Sequence, residues 1–170
     1  QEMCDLTMHS FEIADKYRTP VFIMTDGFTG QMMEPVSFPA PLPEPPVKEW
    51  ATRANAESRE NVVCSIFLEH DALEQQNIKL QEKYKVIEEN EVMYEEFLVD
   101  DAKMVVVAYG IVSRVLRSAV RLARAEGVPV GLLRPISLWP FPKKRLEELA
   151  NSHVERLACF ELSNGQMLED

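Results

Sequence analysis

The chain has 170 residues, with 28 acidic against 18 basic side chains and a formal net charge of −10. That length suffices for one good core, or for one domain plus part of another. The apolar runs fall far below a bilayer span, which predicts a soluble protein, and the acidity disfavours nucleic acid, whose phosphates need clustered positive charge. Residues 1–17 read as a helix, because Met3, Leu6, Ser10, Ile13, Ala14 and Tyr17 recur on one face. Arg18-Thr19-Pro20 ends it. The chain opens inside this helix, without an initiator Met or a signal-peptide pattern, which reads as a piece of a longer protein.

Val21-Phe22-Ile23-Met24 is a continuous apolar run and predicts a strand buried on both faces. Residues 1–39 then read as the last βα layer of a larger domain. Pro39, Pro41, Pro43, Pro45 and Pro46 follow. They predict a stiff, extended linker over 40–70 and a domain boundary there.

From Asp71 to Leu98 a long acidic helix is expected, with Leu73, Asn77, Leu80, Tyr84, Ile87, Glu91, Tyr94 and Leu98 at steps of three and four. Asp71 is its expected N-cap, with Glu74 three residues on. Residues 69–101 hold eleven acids and three bases, a net of −8. The simplest reading is a solvated helix face.

A β/α alternation then predicts βαβαβ. Its strands are Met104–Tyr109, Val128–Leu133 and Arg156–Leu162; its helices are 113–125, capped by Ser113 and stopped at Gly127, and Lys143–Ala150. Gly165 is expected to begin another helix. The fold class is therefore α/β, with a mainly parallel sheet and flanking helices.

Few residues point to chemistry. Cys4, Cys64 and Cys159 are far apart and read as buried thiols; His9, His70 and His153 are scattered too, so no metal site is expected. The turn Tyr109-Gly110-Ile111-Val112-Ser113 could offer amides to a phosphate, but one glycine makes neither dinucleotide nor P-loop pattern. Asp26 and Glu34 flank a glycine-containing loop without a nucleophile or His beside them, and Glu161 reads as a hydrogen-bonded structural acid. Arg114, Arg117, Arg121 and Arg124 lie on one helix face, and Trp139 and Phe141 sit in a proline-fixed loop. These six are the candidate interface residues. The arginines are expected to meet acids of 69–101 or another subunit.

Three strings stand out: Gly30-Gln31-Met32-Met33-Glu34, the similar Gly165-Gln166-Met167-Leu168-Glu169, and Leu133-Arg134-Pro135-Ile136 with Leu138-Trp139-Pro140-Phe141-Pro142. Each is expected just after a strand, where open α/β sheets place binding loops. With Ala14-Asp15-Lys16-Tyr17-Arg18-Thr19-Pro20-Val21 and Leu80-Gln81-Glu82-Lys83-Tyr84, they resemble the α subunit of 2-oxoacid:ferredoxin oxidoreductases, most closely the branched-chain (2-oxoisovalerate) type. The resemblance implies the tail of a thiamine pyrimidine-binding domain over 1–39 and a transketolase C-terminal-like domain over 71–170. It implies oxidative decarboxylation of a 2-oxoacid to an acyl-CoA with reduction of ferredoxin, in an anaerobic, cytoplasmic setting. Thiamine diphosphate and Mg would serve the whole enzyme, with iron–sulfur clusters on other subunits. The partners implied are β, γ and ferredoxin-like δ subunits. The catalytic Glu of the family lies upstream of Gln1, so no catalytic, cofactor-binding or metal residue is assigned here. The alternatives are a non-catalytic α/β interaction module and the C-terminal domain of another transketolase-like thiamine enzyme.

Overall fold

The computed structural model describes residues 1–41, 44 and 47–169. Pro43, Pro45 and Pro46 of the expected linker lie outside them. The expected helical face is the one that packs: in α1 (Glu2–Tyr17) Met3, Leu6, Ser10, Ile13, Ala14 and Tyr17 are all half-buried. Arg18 ends the helix in the left-handed region, its N–H donating to Ala14 O.

Val21–Met24 is not a buried strand. Residues 20–26 have no regular structure, and Phe22 is 86% exposed. An apolar run becomes a central strand only with neighbours on both edges, and among the described residues none pairs with it. The string Gly30–Glu34 accordingly follows no strand. Gly30 and Gln31 instead close a short helix, α2 (Gly27–Gln31).

Residues 47–61 fold locally. Asn61 donates its Nδ2 to the carbonyls of Glu49 and Ala51, and Arg53 N–H donates to Ser58 Oγ, around a 3-10 turn at Glu57–Asn61. Lys48 pairs with Asp15 at 2.6 Å and the Arg18 guanidinium lies over the Trp50 ring, so this loop rests on α1.

The long helix is shorter than expected. α3 spans His70–Asn90, its N-cap position is Glu69 rather than Asp71, and no side chain caps it. Tyr94–Phe97 is not helix but strand β1. Its pattern is strand-like: Glu95 and Phe97 turn toward arginines 117 and 121, while Glu96 turns to Arg145 on the other side. The step of three and four that carried the helical reading through Tyr94 and Leu98 is coincidental.

Strands β2 (Met104–Val107), β3 (Val130–Pro135) and β4 (Arg156–Cys159) complete a four-stranded sheet of order β1-β3-β2-β4. β2 runs parallel to β3 and β4, and β1 is an antiparallel edge. The fold is mixed α/β, with helices α4 (Gly110–Ala125) and α5 (Lys143–Ala150) crossing on opposite faces. Val106, Ala108, Val120, Val130 and Leu132 form the core under α4; Val105, Val107, Leu133, Leu149, Val154 and Met167 form the one under α5. The alternation of Val105, Val106 and Val107 between the two follows from the strand's two-residue period. β4 ends at Cys159 and is an edge, with Leu157 exposed, so the strand expected to run to Leu162 is cut short.

None of the three cysteines is fully buried, and Cys64 is exposed in residues 62–69, which have no regular secondary structure and pair with no strand among the described residues. Among the described residues no helix is long and apolar enough to cross a membrane.

Candidate functional site

The three strings singled out in the sequence converge. A cleft of ≈ 710 Å³ opens where β2, β3 and β4 end. Asp26, Thr29 and Glu34 line it from the first string and its lead-in. Arg134, Pro135, Ile136, Leu138 and Phe141 line it from the second, and Gln166 and Met167 from the third. The carboxyl ends of parallel strands are where open α/β sheets form binding crevices, because the loops there diverge to opposite faces. Arg114, Arg117 and Arg121 of α4 give it basic lining, and Met3 and Leu6 of α1 give it apolar lining.

The start of α4 forms part of the rim, through Tyr109 and Gly110. The helix begins at Gly110, three residues before the expected Ser113. Ser113 is buried and donates its Oγ to Gly110 O, so it is not the cap. The cap comes from far along the chain. Asp26 accepts Ile111 N–H at 2.9 Å, while also accepting Thr29 N–H at 2.7 Å and Thr29 Oγ1 at 3.0 Å. The Thr29 amide, ahead of the Ile111 amide, holds the Asp26 carboxyl below its ordinary range against a partial cost of burial. The Ile111 amide at the start of α4 is therefore already taken.

The arginine face divides into separate ties. Arg114 meets Glu34 at 3.3 Å and Arg117 meets Glu95 at 2.5 Å. Arg121 lies over the Phe97 ring at 5.4 Å. Arg124 donates to both oxygens of Asp101 at 2.7 Å, and to the carbonyls of Leu98 and Val130. Glu95 and Asp101 belong to the acidic 69–101 segment, but to a strand and a loop, not to its helix. Arg134, at the end of β3, bridges Glu95 at 3.2 Å and Glu2 of α1. Burial pushes the Glu95 carboxyl up, yet Arg117 and Arg134 together bring it below the ordinary range.

Trp139 does not face the cleft. It packs edge-on against Tyr84 of α3, centroids 5.7 Å apart, whereas Phe141 seats on the core under α5. Glu161 accepts Ser163 Oγ and, at 3.0 Å, Met167 N–H, which caps the short helix α6 (Gln166–Glu169). Burial, then the Glu161 charge, pushes the Cys159 thiol up, so it is no activated nucleophile. Every acid at the rim is thus occupied as a cap or an ion pair. The cleft offers shape and charge rather than a free acid or base.

The sequence reading did not find Glu2 against Arg134, or Asp26 against α4. Both contacts span many residues, and no local pattern announces them.

A mostly parallel sheet with a cleft at its strand ends, joined to an acid-bearing N-terminal segment, defines an open-sheet α/β domain. Family models say which kind: pyruvate flavodoxin/ferredoxin oxidoreductase, thiamine diphosphate-binding, matches residues 1–97, and pyruvate:ferredoxin oxidoreductase core domain II matches 102–170. The chain belongs to the pyruvate flavodoxin/ferredoxin oxidoreductase family.

It is 60% identical to ketoisovalerate oxidoreductase subunit VorB of Methanothermobacter thermautotrophicus, over 100% of this chain and 48% of that protein. It is 56% identical to the VorB subunit of Methanothermobacter marburgensis over the same shares. To 2-oxoglutarate synthase subunit KorA of the latter organism it is 29% identical, over 98% of this chain and 52% of that protein. The chain spans about half the length of the curated relatives it matches.

The groups that line the cleft are engaged within the chain. The α4 amide is held by Asp26, the rim acids are engaged, and no three His, Cys, Asp or Glu side chains cluster to hold a cation among the described residues.

Proposed function

We propose that the chain is part of the α subunit of a thiamine-diphosphate-dependent 2-oxoacid:ferredoxin oxidoreductase acting on 2-oxoisovalerate. The observation that carries this reading is the 56–60% identity to two ketoisovalerate oxidoreductase subunits across the whole chain, against 29% to a 2-oxoglutarate synthase subunit. The whole enzyme would convert the 2-oxoacid and coenzyme A to an acyl-CoA and carbon dioxide, and pass two electrons to ferredoxin in the cytoplasm. Thiamine diphosphate and Mg would be held by other parts of the enzyme, and iron–sulfur clusters by other subunits.

The role of residues 1–170 in this scheme is organisational, which the engaged acids of the cleft support. Residues 1–39 complete the pyrimidine-binding domain, 40–70 link, and 71–170 form the transketolase C-terminal-like domain that orients the β, γ and ferredoxin-like δ subunits. Arg114, Arg117, Arg121 and Trp139 keep exposed surface for that purpose. Arg124 and Phe141 are already tied into the fold.

The test is an assay of the assembled enzyme with 2-oxoisovalerate, 2-oxoglutarate and pyruvate. Coenzyme A-dependent ferredoxin reduction fastest with 2-oxoisovalerate is expected. Preference for either other acid would overturn the substrate, and turnover of none would overturn the activity.

A further inference from the structure

We propose that Asp26 is a latch that locks the Gly27–Glu34 loop onto the first turn of α4, and so sets the width of the cleft. One carboxylate serves two helices that belong to separate family-model regions. It caps α2 through Thr29 and α4 through Ile111, 85 residues away. α4 has no cap of its own: its N-cap position is Tyr109, whose side chain makes no capping bond.

Gly110 fits the same device from the other side. Its φ is +57°, and a Cβ there would lie 2.9 Å from Asp26 Oδ2. Only glycine accepts that backbone freely and leaves room for the carboxylate.

Little else holds the loop. Met24 just before it and Met33 within it are exposed, at 77% and 97%. Beyond Asp26, its ties to α4 among the described residues are Glu34 at 3.3 Å and Met32 Sδ at 3.4 Å, both to Arg114. Asp26, Thr29 and Glu34 all line the cleft, so releasing Asp26 moves one of its walls. The latch does not depend on which 2-oxoacid the enzyme takes.

The test separates local capping from the long-range contact. Asp26→Ser in the intact protein keeps a good N-cap for α2 but is too short to reach Ile111. Hydrogen exchange at Ile111 should rise roughly tenfold, with faster exchange across 27–34 and no change at Val105–Val107. Unchanged exchange at Ile111 would overturn the latch.

A thermal cycle gives an independent reading. Gly110→Ala should lower the melting temperature more in the native background than beside Asp26→Ser, because the φ strain is common to both and the clash is not. Equal losses in the two backgrounds would contradict the proposal.

Discussion

At the residue scale, the four arginines of α4 look equivalent in sequence and are not equivalent in the fold. Arg124 uses its planar fork on one carboxylate and two carbonyls, a geometry that an ammonium cannot copy. Arg124→Lys is expected to cost about 1–2 kcal/mol in urea unfolding, because the carbonyls of Leu98 and Val130 lose a charged donor. Arg121→Ala removes only an exposed stacking contact on Phe97 and should cost less than about 1 kcal/mol. The reverse order would show that the division of the face is wrong. The helical spacing revealed that the arginines share a face; it could not reveal which had partners, since those partners come from β1, the loop after it and the N-terminal loop.

At the scale of elements, β3 and the turn after β1 approach too closely for a side chain. A Cβ at Gly131 would sit 2.5 Å from Leu98 O and 3.0 Å from the Val99 Cα, both backbone atoms that cannot swing away. Gly131→Ala should therefore destabilise by roughly 1–3 kcal/mol. Gly27→Ala, with nothing within 4 Å, should stay within about 0.5 kcal/mol of the native value. Chemical denaturation of the two variants checks this, and equal stability would contradict the packing.

The elements themselves were unevenly legible. α1, α5 and the βαβαβ order follow from periodicity and from proline and glycine signals, because each packs against neighbours in this chain. The failures have physical causes. Val21–Met24 has the composition of a central strand but no ladder to join. Tyr94–Phe97 carries two glutamates that extend an acidic helical pattern on paper, while β3 offers it a strand edge and Arg117, Arg134 and Arg145 neutralise its acids. The three strings pointed to binding loops, and they do line one cleft, although the first follows no strand; the contact of Asp26 with α4 at its rim was not readable.

At the scale of the whole molecule, stability is unevenly distributed. β2 is hydrogen-bonded on both sides by β3 and β4, whereas residues 20–26 lie in no ladder. Hydrogen exchange should be slow at 104–107 and fast at 20–25, unless a partner covers the latter. Equal protection in the isolated chain would contradict this.

Acid should unfold the molecule through a set of ion-paired or capping carboxylates. Asp26, Glu91, Glu95, Asp101 and Glu161 are all held below their ordinary range. Glu91 owes this first to Lys16, then to Tyr17, across α1 and α3. Unfolded carboxyls titrate near about 4, so the stability these groups contribute is complete above that pH and is lost as pH falls through the lower folded values. A melting temperature that holds from about pH 6 to 4.5 and drops below about 4 is expected. A flat profile down to pH 3 would contradict it.

The proposed function has these 170 residues organise a thiamine enzyme whose cofactor is held elsewhere. Calorimetric titration of thiamine diphosphate with Mg tests it most directly, run on the isolated chain and on the assembled oxidoreductase. Binding by the assembly and none by the chain is the predicted result. Micromolar binding to the isolated chain would contradict the account.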